Sequence, residues 1–205
     1  MMRKSSLTIL GLLLLYFTSF IAVASANKNR VKVFDSIEKI GLGVLNGPES
    51  MVWDQAGNLY TSIADGTVRK VDKTTGDITI YAYSVPGLSA EDRAKCGTSV
   101  LHEPLCGRPL GLQFDSQENL WIADAYKGIL KVPRSNPSNV QVIVNQFNGV
   151  PFKMPNSLYL TNDEKTLYFT DTSQQYTRMQ FVAIVVANKP DGRLIKLDLQ
   201  TGALT

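Results

Sequence analysis

The sequence predicts an all-β protein: a partial β-propeller of about three to three and a half blades, behind an N-terminal signal peptide. Two observations carry the propeller prediction. First, one pattern occurs three times: a glycine- or proline-led start, a short alternating strand, a polar turn, and a second strand opening with Leu and an aromatic residue. Its copies are Gly47–Asp54 with Leu59–Ile63, Cys106–Asp115 with Leu120–Tyr126, and Pro155–Leu160 with Leu167–Asp171. The equivalent leucines Leu59, Leu120 and Leu167 lie 61 and 47 residues apart, the scale of propeller blades. Second, apolar and polar residues alternate in short runs bounded by Gly, Asn, Asp and Pro, with almost no helical periodicity.

Taken in order, the elements begin with a leader. Arg3 and Lys4 precede an apolar run from Leu7 to Val23, and Ala24-Ser25-Ala26 supplies small residues at a cleavage site. Residues 1–26 are read as a signal peptide, with 27–205 as the propeller domain. The rival reading is an uncleaved anchor, because the apolar run approaches bilayer-spanning length. Val68–Asp72, the Lys73–Gly76 turn and Ile78–Tyr81 complete a first blade. Ser84 to Pro109 is the longest irregular segment and holds both cysteines. Ile129–Val132 and Val140–Val144 flank a Pro133–Asn139 turn in the second blade. Phe181 to Ala187 reads as a buried strand. Leu194–Asp198 precedes Gln200-Thr201-Gly202, a repeat of the earlier Thr-Gly turn. About 179 residues follow residue 26, while each blade takes roughly 40–50. The expectation is therefore a piece of a longer ring.

Composition narrows the function classes. Lys and Arg number 21 against 18 acids. Loss of Arg3 and Lys4 with a leader makes the remainder nearly neutral, which gives no basis for binding nucleic acid. Membrane contact is expected only if the leader is a retained anchor. Cys96 and Cys106, close together behind a leader, fit a disulfide formed in an oxidising compartment, with free thiols as the other reading. Two cysteines and His102 are too few for a zinc site. A serine-hydrolase triad would depend on His102, and no Gly-x-Ser-x-Gly elbow is present. Asp124 and Asp171 recur after the Leu-aromatic strand, a repetition that points to a structural role in receiving backbone N–H groups. Arg108 reads as a buried structural ion, and Tyr126 and Tyr176 as packing or rim residues.

Several motifs in order resemble the strictosidine synthase-like family: Leu105–Gly111, Ile122–Tyr126, Gly149–Lys153, Tyr168–Ser173 with Tyr176, and Asp191–Lys196. The resemblance runs from about Val31 to the end of the chain. It implies a six-bladed propeller related to calcium-dependent lactonases and esterases, of which this chain holds the N-terminal part. The family's paired cysteines fall on Cys96 and Cys106.

Two chemistries follow from the resemblance. In the hydrolase-like relatives, two metal-ligand positions fall on Glu49 and Asn156, whose oxygens suit a hard cation such as Ca²⁺. The competing reading has both residues capping turns. The expected function is then cation-assisted ester or lactone hydrolysis of a small-molecule substrate in the secretory pathway: endoplasmic reticulum lumen, vacuole or outside the cell. The alternative is Pictet–Spengler condensation of an amine with an aldehyde. Its glutamate base would correspond to a position beyond Thr205, so the catalytic residues are unassigned. Positions that hold a Trp, a Tyr and a Val around the amine pocket of the alkaloid enzyme fall on Met154, Asn156 and Thr172. The loss of two aromatics weakens an indole site. A third reading is a non-catalytic lumenal binding propeller, and the 205-residue chain by itself is compatible with an inactive fragment.

Overall fold

Asp54-Gln-Ala-Gly-Asn58 and Asp115-Ser-Gln-Glu-Asn119 show how this sequence makes its hairpins. In a computed structural model that describes residues 39–205, each aspartate clasps the turn it begins. Asp54 Oδ1 accepts from the backbone N–H of Asn58 at 2.8 Å, and Oδ2 accepts from Asn58 Nδ2 and the Tyr60 hydroxyl. Asp115 accepts in the same way from the Asn119 backbone and amide and from Trp121 Nε1. The last residue before the asparagine has positive φ in both turns, at Gly57 and Glu118; Glu164 repeats it in a third. The leader, residues 1–26, and the onset of the family resemblance lie outside the described residues.

These hairpins belong to three sheets. Strands β1 (Met51–Trp53), β2 (Leu59–Ser62), β3 (Thr67–Val71) and β4 (Ile78–Tyr83) form the first, paired antiparallel in chain order. The second contains β5 (Pro109–Phe114), β6 (Leu120–Asp124), β7 (Gly128–Val132) and β8 (Gln141–Val144), again in chain order. A small ribbon of β9 (Gln146–Phe147) and β10 (Val150–Pro151) leads to the third sheet. That sheet holds β11 (Pro155–Leu160), β12 (Thr166–Asp171) and β13 (Arg193–Asp198). Leu204 bridges back to Leu197, so a fourth position is begun there as well.

The core lies between sheets rather than within them. Strand β6 is buried on both faces. Leu120 and Ile122 pack with Tyr60, Val68 and Ala82 of the first sheet, whereas Trp121 and Ala123 pack with Leu160, Leu167, Phe169 and Ile195 of the third. Alternation along a single strand thus supplies two interfaces. The innermost strands β1, β5 and β11 lie side by side, β5 against both neighbours. Gly111 lets β5 approach β11 closely: a Cβ there would lie 2.8 Å from the Asn156 carbonyl oxygen and 3.0 Å from Ser157 Cα.

Two expectations are corrected. Phe181–Ala187 is not a buried strand but a helix with no buried residue. Short apolar runs do not distinguish strand from helix by periodicity, and here the flanks decide. Gln180 Oε1 accepts from the Thr177 N–H at the start. Asn188 ends the helix in the left-handed conformation just before Pro190. The Ser84–Pro109 segment is not wholly irregular either: it carries helix α1 (Ala90–Lys95) and helix α2 (Glu103–Cys106), so Phe181–Ala187 is α3. Ser89 caps α1 by accepting from Asp92 N, with acids in the first turn and bases in the last.

Candidate functional site

The polar groups gather where the innermost strands begin. The second strand of each sheet ends at the same level, because Pro155 pairs with Asp171 and Pro109 with Asp124. Glu49 is placed there by its own backbone N–H, which donates to the Ser62 carbonyl at 3.1 Å.

Arg108 reaches the same place from the second sheet. The Cys96–Cys106 disulfide joins the end of α1 to the end of α2, with Cα atoms 5.7 Å apart. Closing so short a loop stabilises the fold by about 3 kcal/mol on chain-entropy grounds. The disulfide-closed loop docks on Gly66 so closely that a Cβ there would stand 2.3 Å from the Cys106 carbonyl oxygen. Two residues beyond the disulfide, Arg108 is 2% exposed, and its Nη2 donates to the Gly47 carbonyl at 2.9 Å and to Glu49 Oε1 at 3.2 Å.

Around this pair stand Glu103, Tyr126 and Arg178. Glu103 Oε1 lies 3.8 Å from Arg108 Nε and 3.7 Å from Arg178 Nη1, and Glu103 Oε2 accepts from the Tyr126 hydroxyl at 3.0 Å. Arg178 Nη2 is 3.9 Å from Glu49 Oε1. Burial, and then the neighbouring charge of Arg178, lower the Arg108 pKa below its usual value. Burial and the Glu103 carboxylate push the Tyr126 phenol up. The cluster joins both sheets and the loop that carries α3.

The other expected residues fall as follows. Asn156 is exposed near the start of β11, beside the backbone of Gly111. Met154 and Thr172, the two expected pocket positions, are brought together: the Thr172 N–H donates to the Met154 carbonyl at 2.9 Å, and both side chains are half-buried. Asp124 and Asp171 have the structural role their repetition suggests. Asp124 Oδ1 accepts from the N–H groups of Tyr126 and Lys127. Asp171 Oδ1 accepts from those of Lys153 and Met154, and its Oδ2 pairs with Arg193 at 3.0 Å. His102 touches Thr98 on an exposed loop. Glu103 and Arg178 went unnoticed in the sequence, where neither belongs to a repeated motif and Arg178 meets carboxylates far from it in the chain.

Glu49 and Asn156 offer hard oxygen donors. Glu49 is 46% exposed, and both guanidinium contacts fall on Oε1. The chemistry of this pair fits a cation such as Ca²⁺. Among the described residues no group of three or more His, Cys, Asp or Glu side chains is arranged around a metal position.

Fold and cluster together define a propeller-class protein whose polar site lies at the ends of the innermost strands. The family model for the strictosidine synthase-like N-terminal region matches residues 33–71, and that for strictosidine synthase matches 156–205. The chain is 35% identical over 170 residues to protein strictosidine synthase-like 10 of Arabidopsis thaliana, a match covering 81% of this chain and 44% of that protein. It is 33% identical over 171 residues to the adipocyte plasma membrane-associated protein of Rattus norvegicus, covering 80% and 41% respectively. The chain belongs to the strictosidine synthase-like family. It spans about half the length of the curated relatives it matches. A gluconolactonase from Xanthomonas campestris has the same fold over 78% of this chain and 46% of its own, with a TM-score of 0.53 at 14% identity.

Proposed function

We propose that this chain is part of a secretory-pathway hydrolase of the strictosidine synthase-like family, acting on an ester or lactone with a divalent cation held at Glu49 and Asn156. The observation that carries the reading is the placement of an exposed carboxylate and an exposed amide at the starts of β1 and β11. A cation held there supplies Lewis-acid polarisation of the substrate carbonyl. Arg108 positions Glu49 by fixing Oε1, while the Gly47 carbonyl fixes Arg108. Met154 and Thr172, half-buried and joined through their backbones, are the substrate-pocket positions of this reading. They provide no aromatic faces to sandwich an indole, which favours hydrolysis over amine–aldehyde condensation. The disulfide supports a location in the endoplasmic reticulum lumen, the vacuole or the extracellular space. No helix among the described residues is long and apolar enough to cross a membrane.

The test is hydrolysis of an aryl ester and an aliphatic lactone by the purified protein, with calcium and with a chelator. Calcium-dependent turnover that Glu49→Gln reduces at least ~100-fold, as loss of a ligand or its orientation does, is the expected outcome. Turnover of tryptamine with an aldehyde, and none of the ester or lactone, would replace this reading with the condensation.

A further inference from the structure

We propose that Arg178 gates cation binding at Glu49: a divalent cation taken up there displaces Arg178 and shifts the segment that carries α3. The inference rests on the cation reading of Glu49 given above.

Two guanidinium groups face the same carboxylate oxygen, and they are held very differently. Arg108 is 2% exposed, bonded to both Gly47 and Glu49, and locked beside the disulfide. It cannot withdraw without losing the two hydrogen bonds that compensate its buried charge. Arg178 is 19% exposed and stands 3.9 Å from Glu49 and 3.7 Å from Glu103, bonded directly to neither. It lies on a single 3-10 turn, Arg178–Gln180, leading straight into α3. That helix has no buried residue, and Val185 and Val186 are 74% and 77% exposed. Little packing therefore opposes its movement, as expected of a low-stability segment. Its base is fixed, because Ser173 Oγ donates to Asp191 Oδ2 at 2.9 Å and Gln174 Nε2 donates to the Asp191 carbonyl. Motion is thus confined to what lies between 174 and 190.

A dication at Glu49 adds repulsion to both arginines. The relief falls on the one that is less buried, loosely paired and flexibly carried. Arg178 then keeps Glu103 or turns to solvent. The charged and titratable groups facing this exchange are Glu49, Glu103, Arg108, Asp124 and Tyr126.

The sign of the expected effect is unusual, since removing a side chain should improve binding. Calcium titration by calorimetry should show Arg178→Gln binding roughly ten-fold more tightly than the unaltered chain, as Coulomb repulsion at this range near a surface implies. Arg178→Lys, which keeps the charge, should stay near the unaltered affinity. Hydrogen–deuterium exchange in residues 174–190 should rise on calcium addition in the unaltered chain and not in Glu49→Gln. If calcium binds through Glu49 but Arg178→Gln binds no more tightly, or exchange in 174–190 stays constant, the gate is wrong and the cation reading survives. If calcium does not bind, or binds Glu49→Gln equally well, the cation reading falls and takes the gate with it.

Discussion

Asp115 shows at the scale of one residue how this protein turns a polar side chain into structure. Burial alone would raise its pKa, but hydrogen bonds from Asn119, Lys131 and Trp121 outweigh burial and hold it below the usual carboxylate value. A folded pKa below the unfolded one means that the stabilisation is complete above the unfolded value and is lost as pH falls through the folded one. Replacing Asp115 with Asn should therefore destabilise the protein by about 1–3 kcal/mol near neutral pH. The gap to the unaltered chain should narrow as urea unfolding is repeated below about pH 4; a gap independent of pH would show that the charge contributes nothing. Arg108 is the opposite kind of residue. Its Nε and Nη1 are buried without hydrogen-bond partners, so the burial that the sequence suggested is observed, whereas its use in fixing Glu49 was not legible. The two residues lie 59 positions apart, and no local pattern announces an ion pair at that distance.

At the scale of elements, the hairpin turns do more than reverse the chain. Glu118 and Glu164 hold positive φ, where the first sheet uses Gly57. Each reaches back to the preceding sheet: Glu118 Oε1 accepts from the Gln55 N–H, and Glu164 Oε1 from the Ser116 N–H. A side chain in the left-handed region costs of order 1 kcal/mol, and the contact between sheets offsets it. Glu118→Ala should lose the contact and keep the strain, destabilising by about 1 kcal/mol in urea melts. Glu118→Gly should lose both and come out closer to neutral. Equal losses would mean that the contact is idle. The strands, their turns and the paired cysteines could be read from alternation, Asp-Asn spacing and the family motifs. Helix α3 could not, because a Val- and Ile-rich run favours a strand by propensity, and only the Thr177 and Asn188 ends decide otherwise.

For the molecule as a whole, stability resides in the seams between sheets, so a defect in one seam should loosen two sheets at once. Phe169 stacks edge-on against Phe152 with ring centroids 5.2 Å apart and lies in the same cluster as Trp121. Phe169→Ala should cost about 3–5 kcal/mol. Trp53 is largely exposed, so a red shift of tryptophan emission would report Trp121 of the second sheet, although the change was made in the third. Unshifted emission with lowered stability would instead indicate sheets that respond separately. The repeat period made the sheets legible, but not which face of β6 meets which neighbour, since all its residues are apolar or buried. Gly111 shows what such an arrangement demands near its axis. Sheets that fan around a common centre must taper, and between β5 and β11 the taper ends in a hydrogen atom. One added carbon would act as a wedge, altering the angle between two sheets and therefore the separation of Glu49 from Asn156. The gauge of the proposed cation site thus depends on a residue that has no side chain to touch a ligand.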